Sequence, residues 1–570
     1  MISSQRLATL YLLLLLTAGL LATAKENRQA QSGNLQISGT VVDFITGQPV
    51  AKARVAISPV GERDNFTTII TAEDGRFVFL NLAAGKYTLT AQARGYLLQS
   101  FNQHDNYSSS IVVGPDQDTS NLLFRVPPES SISGVITDEA GEPVRDAQVM
   151  LYFTGLAAGS EGTRLRNRVT TSDEGSYRFG HLAPGRYLIA VSAKPWYSQH
   201  PWPTPTPSAK QPATAQGGGV ILSMHSGPGF YPGGAVSGTQ PNPQLDVAYP
   251  VTFYPGVTEP SEATPIVLGR GEKAVANLSL QPVPALHVRI NKEETEPGKS
   301  SHLTLQRRVL DGPAIPVSVE MREVAPGVME VVGLASGRYV VRNYVAGEGQ
   351  SDWAGSRDLE LTGNDEVDSH QGDQYVPVIA TLQMRSGTLP RQAVLALTSN
   401  KTREGFSERV NASGELLFKQ GVPPGAYEIS IYGAKGMYLA NISAEGARVS
   451  GRTVEFGAGS RVKLALTIAR GQGEITGTTL KDGKPLAGAM VVLVPADPAH
   501  NHVLFRRDQS DSDGTFTLPE VVPGKYQLLA IENGWELEWM NPEVLNKFTA
   551  GATMLEVEPS GRYNIKVNVQ

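Results

Sequence analysis

Residues 73 to 89 read Glu73-Asp74-Gly75-Arg76-Phe77-Val78-Phe79-Leu80-Asn81-Leu82-Ala83-Ala84-Gly85-Lys86-Tyr87-Thr88-Leu89, and this stretch decides the fold. Asp74-Gly75 is a tight-turn pair. Phe77 and Phe79 then fall on one side of an extended chain, Leu82 closes the strand, and Ala83-Ala84-Gly85 turns into Tyr87-Thr88-Leu89. Asp-Gly followed by hydrophobics at every second position is a hairpin signal. Because side chains alternate faces along a strand, one face of this hairpin is apolar and has to be covered.

The stretch recurs. Gly-x-Tyr returns at Gly185-Arg186-Tyr187, Gly337-Arg338-Tyr339, Gly425-Ala426-Tyr427 and Gly524-Lys525-Tyr526. An earlier glycine precedes each by ten residues, or eleven in the fourth copy: Gly75, Gly175, Gly327, Gly414 and Gly514. The paired apolar positions become Tyr177 and Phe179, Met329 and Val331, Leu416 and Phe418, and Phe516 and Leu518. Such repetition marks an array of similar modules. The glycine of Gly-x-Tyr is predicted to take φ > 0 or to admit a neighbouring strand that a β-carbon would obstruct. The tyrosine is predicted to bury its ring while its hydroxyl reaches a backbone group, as the corner tyrosine of immunoglobulin-type sandwiches does.

Copies one, two and five also share their beginning. Ile37-Ser38-Gly39-Thr40-Val41-Val42-Asp43 turns at Thr46-Gly47-Gln48-Pro49 and resumes in alternation to Ile57; Ile132-Ser133-Gly134-Val135 leads to Gly141-Glu142-Pro143-Val144; Ile475-Thr476-Gly477-Thr478 leads to Asp482-Gly483-Lys484-Pro485-Leu486. These motifs resemble the carboxypeptidase regulatory-like domain, a transthyretin-like β-sandwich found beside some metallocarboxypeptidases and in tandem in many bacterial secreted proteins. The resemblance implies seven-stranded Greek-key sandwiches of the carbohydrate-binding-like group, and it implies no activity. Copies three and four keep only the hairpin and Gly-x-Tyr. A related unit, the collagen-adhesin B-type repeat, carries a Lys-to-Asn isopeptide bond. The opening strands here place Gln36, Ser131 and Glu474 ahead of the first isoleucine, with no obvious lysine, so no cross-link is expected.

The expected fold is all-β, a tandem array of immunoglobulin- or transthyretin-like sandwiches. Its divisions are a signal peptide at 1–24 and modules at 34–126, 127–285, 286–372, 373–470 and 471–570. The second is interrupted at 195–250, and short links between copies suggest an elongated rod. With 59 glycines, 38 prolines and 40% hydrophobic residues, the 570-residue chain has short strands, many turns and enough apolar surface for real cores. Arg6, the apolar run from Leu10 to Leu21 and Ala22-Thr23-Ala24 together read as a secretory signal cleaved after Ala24. An uncleaved anchor is the alternative, but the run falls short of the ~20 residues that span a bilayer. No cysteine is present, so packing alone holds the modules, which favours a bacterial periplasm or exterior. The net charge of −6 argues against nucleic acid.

The interruption contains Pro201-Trp202-Pro203-Thr204-Pro205-Thr206-Pro207 and Gly217-Gly218-Gly219, a composition that does not build a core. It is read as a loop inside the second module, with an inter-domain linker as the alternative. Trp196, Tyr197, Trp202, Phe230 and Tyr231 concentrate there, and exposed rings with polar edges suit sugars or a protein partner. Packing back on the sandwich is the competing reading. Trp535-Glu536-Leu537-Glu538-Trp539 is a second aromatic group; Gly534-Trp535 keeps the spacing of Gly95-Tyr96 and reads as core, which leaves Trp539 the freer ring. The candidate ligand-binding residues are therefore Trp196, Trp202, Tyr231 and Trp539.

No catalytic, cofactor-binding or metal-binding residues are assigned. There is no His-Glu-x-x-His, nucleophile elbow or phosphate loop; Asp497, His500 and His502 form the one tight group and read as a solvated loop. Asp511 and Asp513 read as turn acids, a weak calcium site being the alternative. The sequence thus predicts a non-catalytic exported protein that binds a polysaccharide, with an envelope-protein scaffold as the alternative. Tyr87→Ala or Tyr526→Ala should destabilise its own module by roughly 3 to 5 kcal/mol, read from the midpoint of denaturant unfolding. An unchanged midpoint would place the ring outside the core.

Overall fold

The computed structural model describes residues 35–62, 64–157, 159–201, 242–291, 300–310, 314–317, 319–347, 350–364, 366–368, 375–418 and 421–570. The signal peptide read at 1–24 and most of the interruption lie outside the described residues. Five pairs of facing β-sheets follow one another along the chain. In the first, Leu35–Asp43 lies between Arg76–Leu82, antiparallel, and Leu122–Val126, parallel. The facing sheet runs Thr67–Ile70, Arg54–Pro59, Gly85–Gln92 and Gln99–Ser100, with Ile111–Val113 also on Gly85–Gln92. Phe77 and Phe79 point into the core with Ile37, Val41, Val55, Leu89 and Phe124, while Val78 and Leu80 face outward. The period-two alternation of the sequence is therefore the division between core and surface.

All five Gly-x-Tyr tyrosines are buried, at 2 to 8% exposure. Each hydroxyl donates to the carbonyl four residues upstream: Tyr87 to Ala83 at 3.0 Å, Tyr187 to Ala183 at 2.8 Å, Tyr339 to Ala335 at 2.7 Å, Tyr427 to Pro423 at 2.8 Å and Tyr526 to Val522 at 2.7 Å. The intervening glycines have φ between 143° and 158°, backbone that a side chain would strain. The ring supplies buried apolar area, and the hydrogen bond removes the penalty of burying a hydroxyl.

The glycine of the opening motif has a different task. A β-carbon on Gly39 would lie 2.2 Å from the Leu122 carbonyl oxygen, on Gly134 2.0 Å from that of Ala276, and on Gly477 2.0 Å from that of Ile565. The parallel last strand passes too close for any side chain. The cross-strand partners of these glycines are Phe77, Tyr177 and Phe516, whose rings cover the glycine. In the third and fourth sandwiches the equivalent pairs are Ile290 with Met329 and Ala380 with Leu416. Glycine and aromatic ring are lost together, which is why these two copies lack the opening motif yet keep the same sheets.

Beyond the interruption, Thr252–Phe253 and Ile266–Leu268 pair with Gly185–Ser192, and Lys273–Val275 runs parallel to Ser130–Thr137. Those strands complete the second sandwich. The chain leaves and returns at one point, where the Gln199 amide donates to the Leu245 carbonyl at 2.8 Å.

The array is not a rod. The second and third sandwiches meet through Met150, Tyr152, Phe253, Val309 and Ile315, and the fourth and fifth through Tyr438, Ala469 and Val522. The fifth then docks on the first. Lys86 Nζ lies 2.5 Å from Asp511 Oδ2, the Ser110 amide donates to Asp511 Oδ1 at 2.7 Å, and Gln509 Nε2 donates to the Asn102 carbonyl at 2.6 Å. Arg507 pairs with Asp105 at 3.1 Å, with its guanidinium 4.5 Å from the ring centroids of both Tyr107 and Trp539. His104 stacks on Trp535 at 4.9 Å. Gln509 and Ser510 are wholly buried at this contact, and buried polar groups of this kind are retained where partners satisfy them. The short links between copies suggest extension, but the contact that closes the array joins groups some 400 residues apart, which no local spacing reveals. Among the described residues no helix is long and apolar enough to cross a membrane.

The double variant Arg507→Ala, Gln509→Ala should free the first sandwich from the last and raise the radius of gyration in small-angle scattering. An unchanged profile would mean that this contact does not hold the two together.

Candidate functional site

The strand Gly185–Ser192 runs out through Ala193 and Lys194 to Pro195, which cannot donate to a ladder, and the two residues after it leave the sheet. Trp196 stands 87% exposed. Its ring is perpendicular to that of Tyr197, with centroids 5.9 Å apart. The Tyr197 hydroxyl hydrogen-bonds to Glu139, in the turn after the opening strand, and the Tyr249 hydroxyl donates to the other carboxylate oxygen at 2.8 Å. Tyr249 is itself buried. Burial pushes the Glu139 carboxyl up, but the hydrogen bonds led by Tyr197 outweigh it and leave the group below its ordinary range, ionised at neutral pH. Burial, then the bond to Glu139, pushes the Tyr197 hydroxyl up to about 12, so it stays a donor. The exposed indole is thus mounted on a fixed base.

Pro195 and Tyr249 also line a cleft of about 200 Å³ between the second and third sandwiches, together with Asp146, Gln148 and Ser192. Lys194 Nζ crosses it to Glu320 Oε1 at 2.7 Å. His200, buried, and His287 hold the two oxygens of Asp246, each at 2.8 Å, and so tie both ends of the interruption to the third sandwich. A β-carbon on Gly333 would lie 2.4 Å from His200 Nε2, so the third sandwich closes directly on that ring. The region offers a flat apolar ring beside amide, hydroxyl, carboxylate and ammonium groups, which is the chemistry of polar-edged ligand recognition.

Of the four candidate residues, Trp196 is where an exposed platform requires it. Trp202 and Tyr231 lie outside the described residues. Trp539 is corrected. It is 8% exposed, packed on Phe505 at 5.8 Å under the Arg507 guanidinium, because the turn after Trp535 folds back over the outer face of Met490–Pro495. Trp535 is likewise buried. Asp497 pairs with His500 at 2.9 Å. Asp511 faces Lys86 and Ser110, and Asp513 caps its own turn at Thr515. Glu139 and Tyr249 were not legible in the sequence, since they meet across 110 residues with no motif to link them.

Residues 36–126 and 131–211 each match the carboxypeptidase regulatory-like domain, one segment after the other. No curated protein matches it. Among solved structures, the Bacillus anthracis TIE protein is 13% identical, with 94% of this chain and 73% of that chain covered, at a TM-score of 0.16. The RrgB pilus protein from Streptococcus pneumoniae is 10% identical over 78% of this chain and 98% of its own, at 0.14. A Streptococcal ancillary pilin is 12% identical over 50% and 98%, at 0.17. Likeness at this level does not bear on function.

Trp196→Ala should leave thermal unfolding within about 0.5 kcal/mol of the parent, as surface substitutions do. Tyr249→Phe, which strips a hydrogen bond from an ionised carboxylate, should cost about 1.5 to 3 kcal/mol. Equal effects would contradict the division into platform and base.

Proposed function

We propose that this is an exported, non-catalytic bacterial protein, in the periplasm or outside the cell, that binds carbohydrate on the Trp196 platform. One observation carries the reading: a tryptophan almost fully in solvent, set edge-on against a tyrosine whose hydroxyl is held by the ionised Glu139 carboxylate. An exposed indole lowers solubility unless something covers it, and a braced one has little conformational entropy left to lose on binding. Sugar rings present an apolar face to stack on such a surface and hydroxyls for groups such as Lys194, Gln148 and Ser192 along the adjoining cleft. Trp202 and Tyr231, in the Pro-rich interruption that starts beside Trp196, are proposed to add further rings.

The docking of the first sandwich on the last favours a second reading, a rigid scaffold for other envelope proteins. Extensive interdomain hydrogen bonding of this kind serves shape rather than sugar recognition.

Affinity electrophoresis of Lys25 to Gln570 through gels containing soluble polysaccharides separates the two. Retardation by at least one polysaccharide, abolished in Trp196→Ala, is the expected result. Uniform migration of the parent chain on every gel would favour the scaffold, to be pursued by pull-down from envelope extracts.

A further inference from the structure

A second cleft between the second and third sandwiches, of about 380 Å³, is lined by Thr258, Glu259, Arg307, Arg308, Arg338 and Glu360 among others. Arg307 ends the strand Ser300–Arg307 and is 6% exposed. Its guanidinium lies 5.0 Å from the centroid of the Tyr339 ring, and Nη2 donates to the Ser336 carbonyl at 3.3 Å. Those are its only partners among the described residues, and no carboxylate is one of them. By contrast, Arg308 pairs with Asp358 at 3.3 Å, and Arg338 donates to the Leu310 carbonyl at 2.6 Å.

A guanidinium does not deprotonate to escape burial, and it carries five N–H donors in a planar fork. A buried charge without a counter-ion is among the least favourable arrangements in a protein interior. Arg307 nevertheless sits under a cleft open enough for a small molecule. The three guanidinium groups are matched by Glu259, Glu360 and, through Arg308, Asp358, so the cleft has no surplus charge to hold a dianion, and a monoanion on Arg307 suits it better than phosphate. Pro250, Val251 and Val309 supply apolar wall at the scale of one sugar ring.

We propose that this cleft is a carboxylate-binding site in which Arg307 anchors a sugar acid, either free or as a uronate unit of an acidic polysaccharide. A planar carboxylate would meet the guanidinium fork through paired N–H···O bonds. Arg307 also borders the first cleft, but Thr258 and Glu259 line only this one, and the site stands whether or not the Trp196 platform binds sugar.

Calorimetric titration of the full chain with glucuronate, glucose and inorganic phosphate tests this. Glucuronate should bind at one per chain, and glucose at least tenfold more weakly. Arg307→Met, which keeps the apolar stem, should weaken glucuronate at least tenfold. Thr258→Trp, at an exposed position on the cleft wall, should do the same without touching the buried cation, and so guards against misfolding of the first variant. An oligogalacturonate that binds as tightly as glucuronate would identify the polymer as the source, and one that is excluded would identify the free acid. Glucuronate no better than glucose, a preference for phosphate, or binding that survives both variants would overturn the proposal.

Discussion

A buried phenol ring leaves a hydroxyl that water can no longer satisfy, and in each sandwich that hydroxyl turns back to the carbonyl four residues earlier. The bond closes the turn leading into the strand that carries the tyrosine. Where that strand enters the sheet determines its register with Arg54–Pro59 in the first sandwich and with Met490–Pro495 in the fifth. Register then decides which residues face inward, because a slip of one residue would exchange core for surface along the whole strand. The glycine before the tyrosine makes the turn possible and the ring makes it stable. The rest of each module is packed around that corner.

This corner was legible in the sequence because all its parts are local. Tyr87 and Ala83, or Tyr526 and Val522, lie within one turn of each other, and the alternation of Phe77 with Val78 is a periodicity that needs no knowledge of the partner sheet. The opening glycine was visible as a motif but not as a reason. Its constraint comes from a last strand 83 or more residues away, in the carbonyls of Leu122, Ala276 and Ile565. The loss of motif in copies three and four reads as divergence until Ile290 is seen opposite Met329 and Ala380 opposite Leu416. One spatial substitution, a side chain for a covered glycine, accounts for it.

Tryptophan shows where such reading ends. Trp196 and Trp539 both follow a strand that begins with Gly-x-Tyr, and both stand among residues with good hydrogen-bonding groups. One lies in water and the other under an arginine. The difference arises from the first sandwich, whose Tyr107 covers the far side of Arg507, and from Gly159 of the second, which packs on the Trp539 ring. Neither contact has a sequence signature. The same holds for the seam between the second and third sandwiches, where Arg307 shares a cleft with residues between Pro250 and Pro260, which belong to another module.

The docking of the last sandwich on the first also imposes an order in time. The loop from Asn102 to Ser110 is made early, while Arg507, Gln509 and Asp511, which occupy its polar groups, follow about 400 residues later. At ~5–20 residues per second, synthesis leaves that loop without its partner for on the order of 20 to 80 seconds. During that interval the hydroxyls, amides and carboxylate of Asp105 must be held by water or by another protein. The first module therefore begins its existence with an open docking face, and the chain's last hundred residues close it from within.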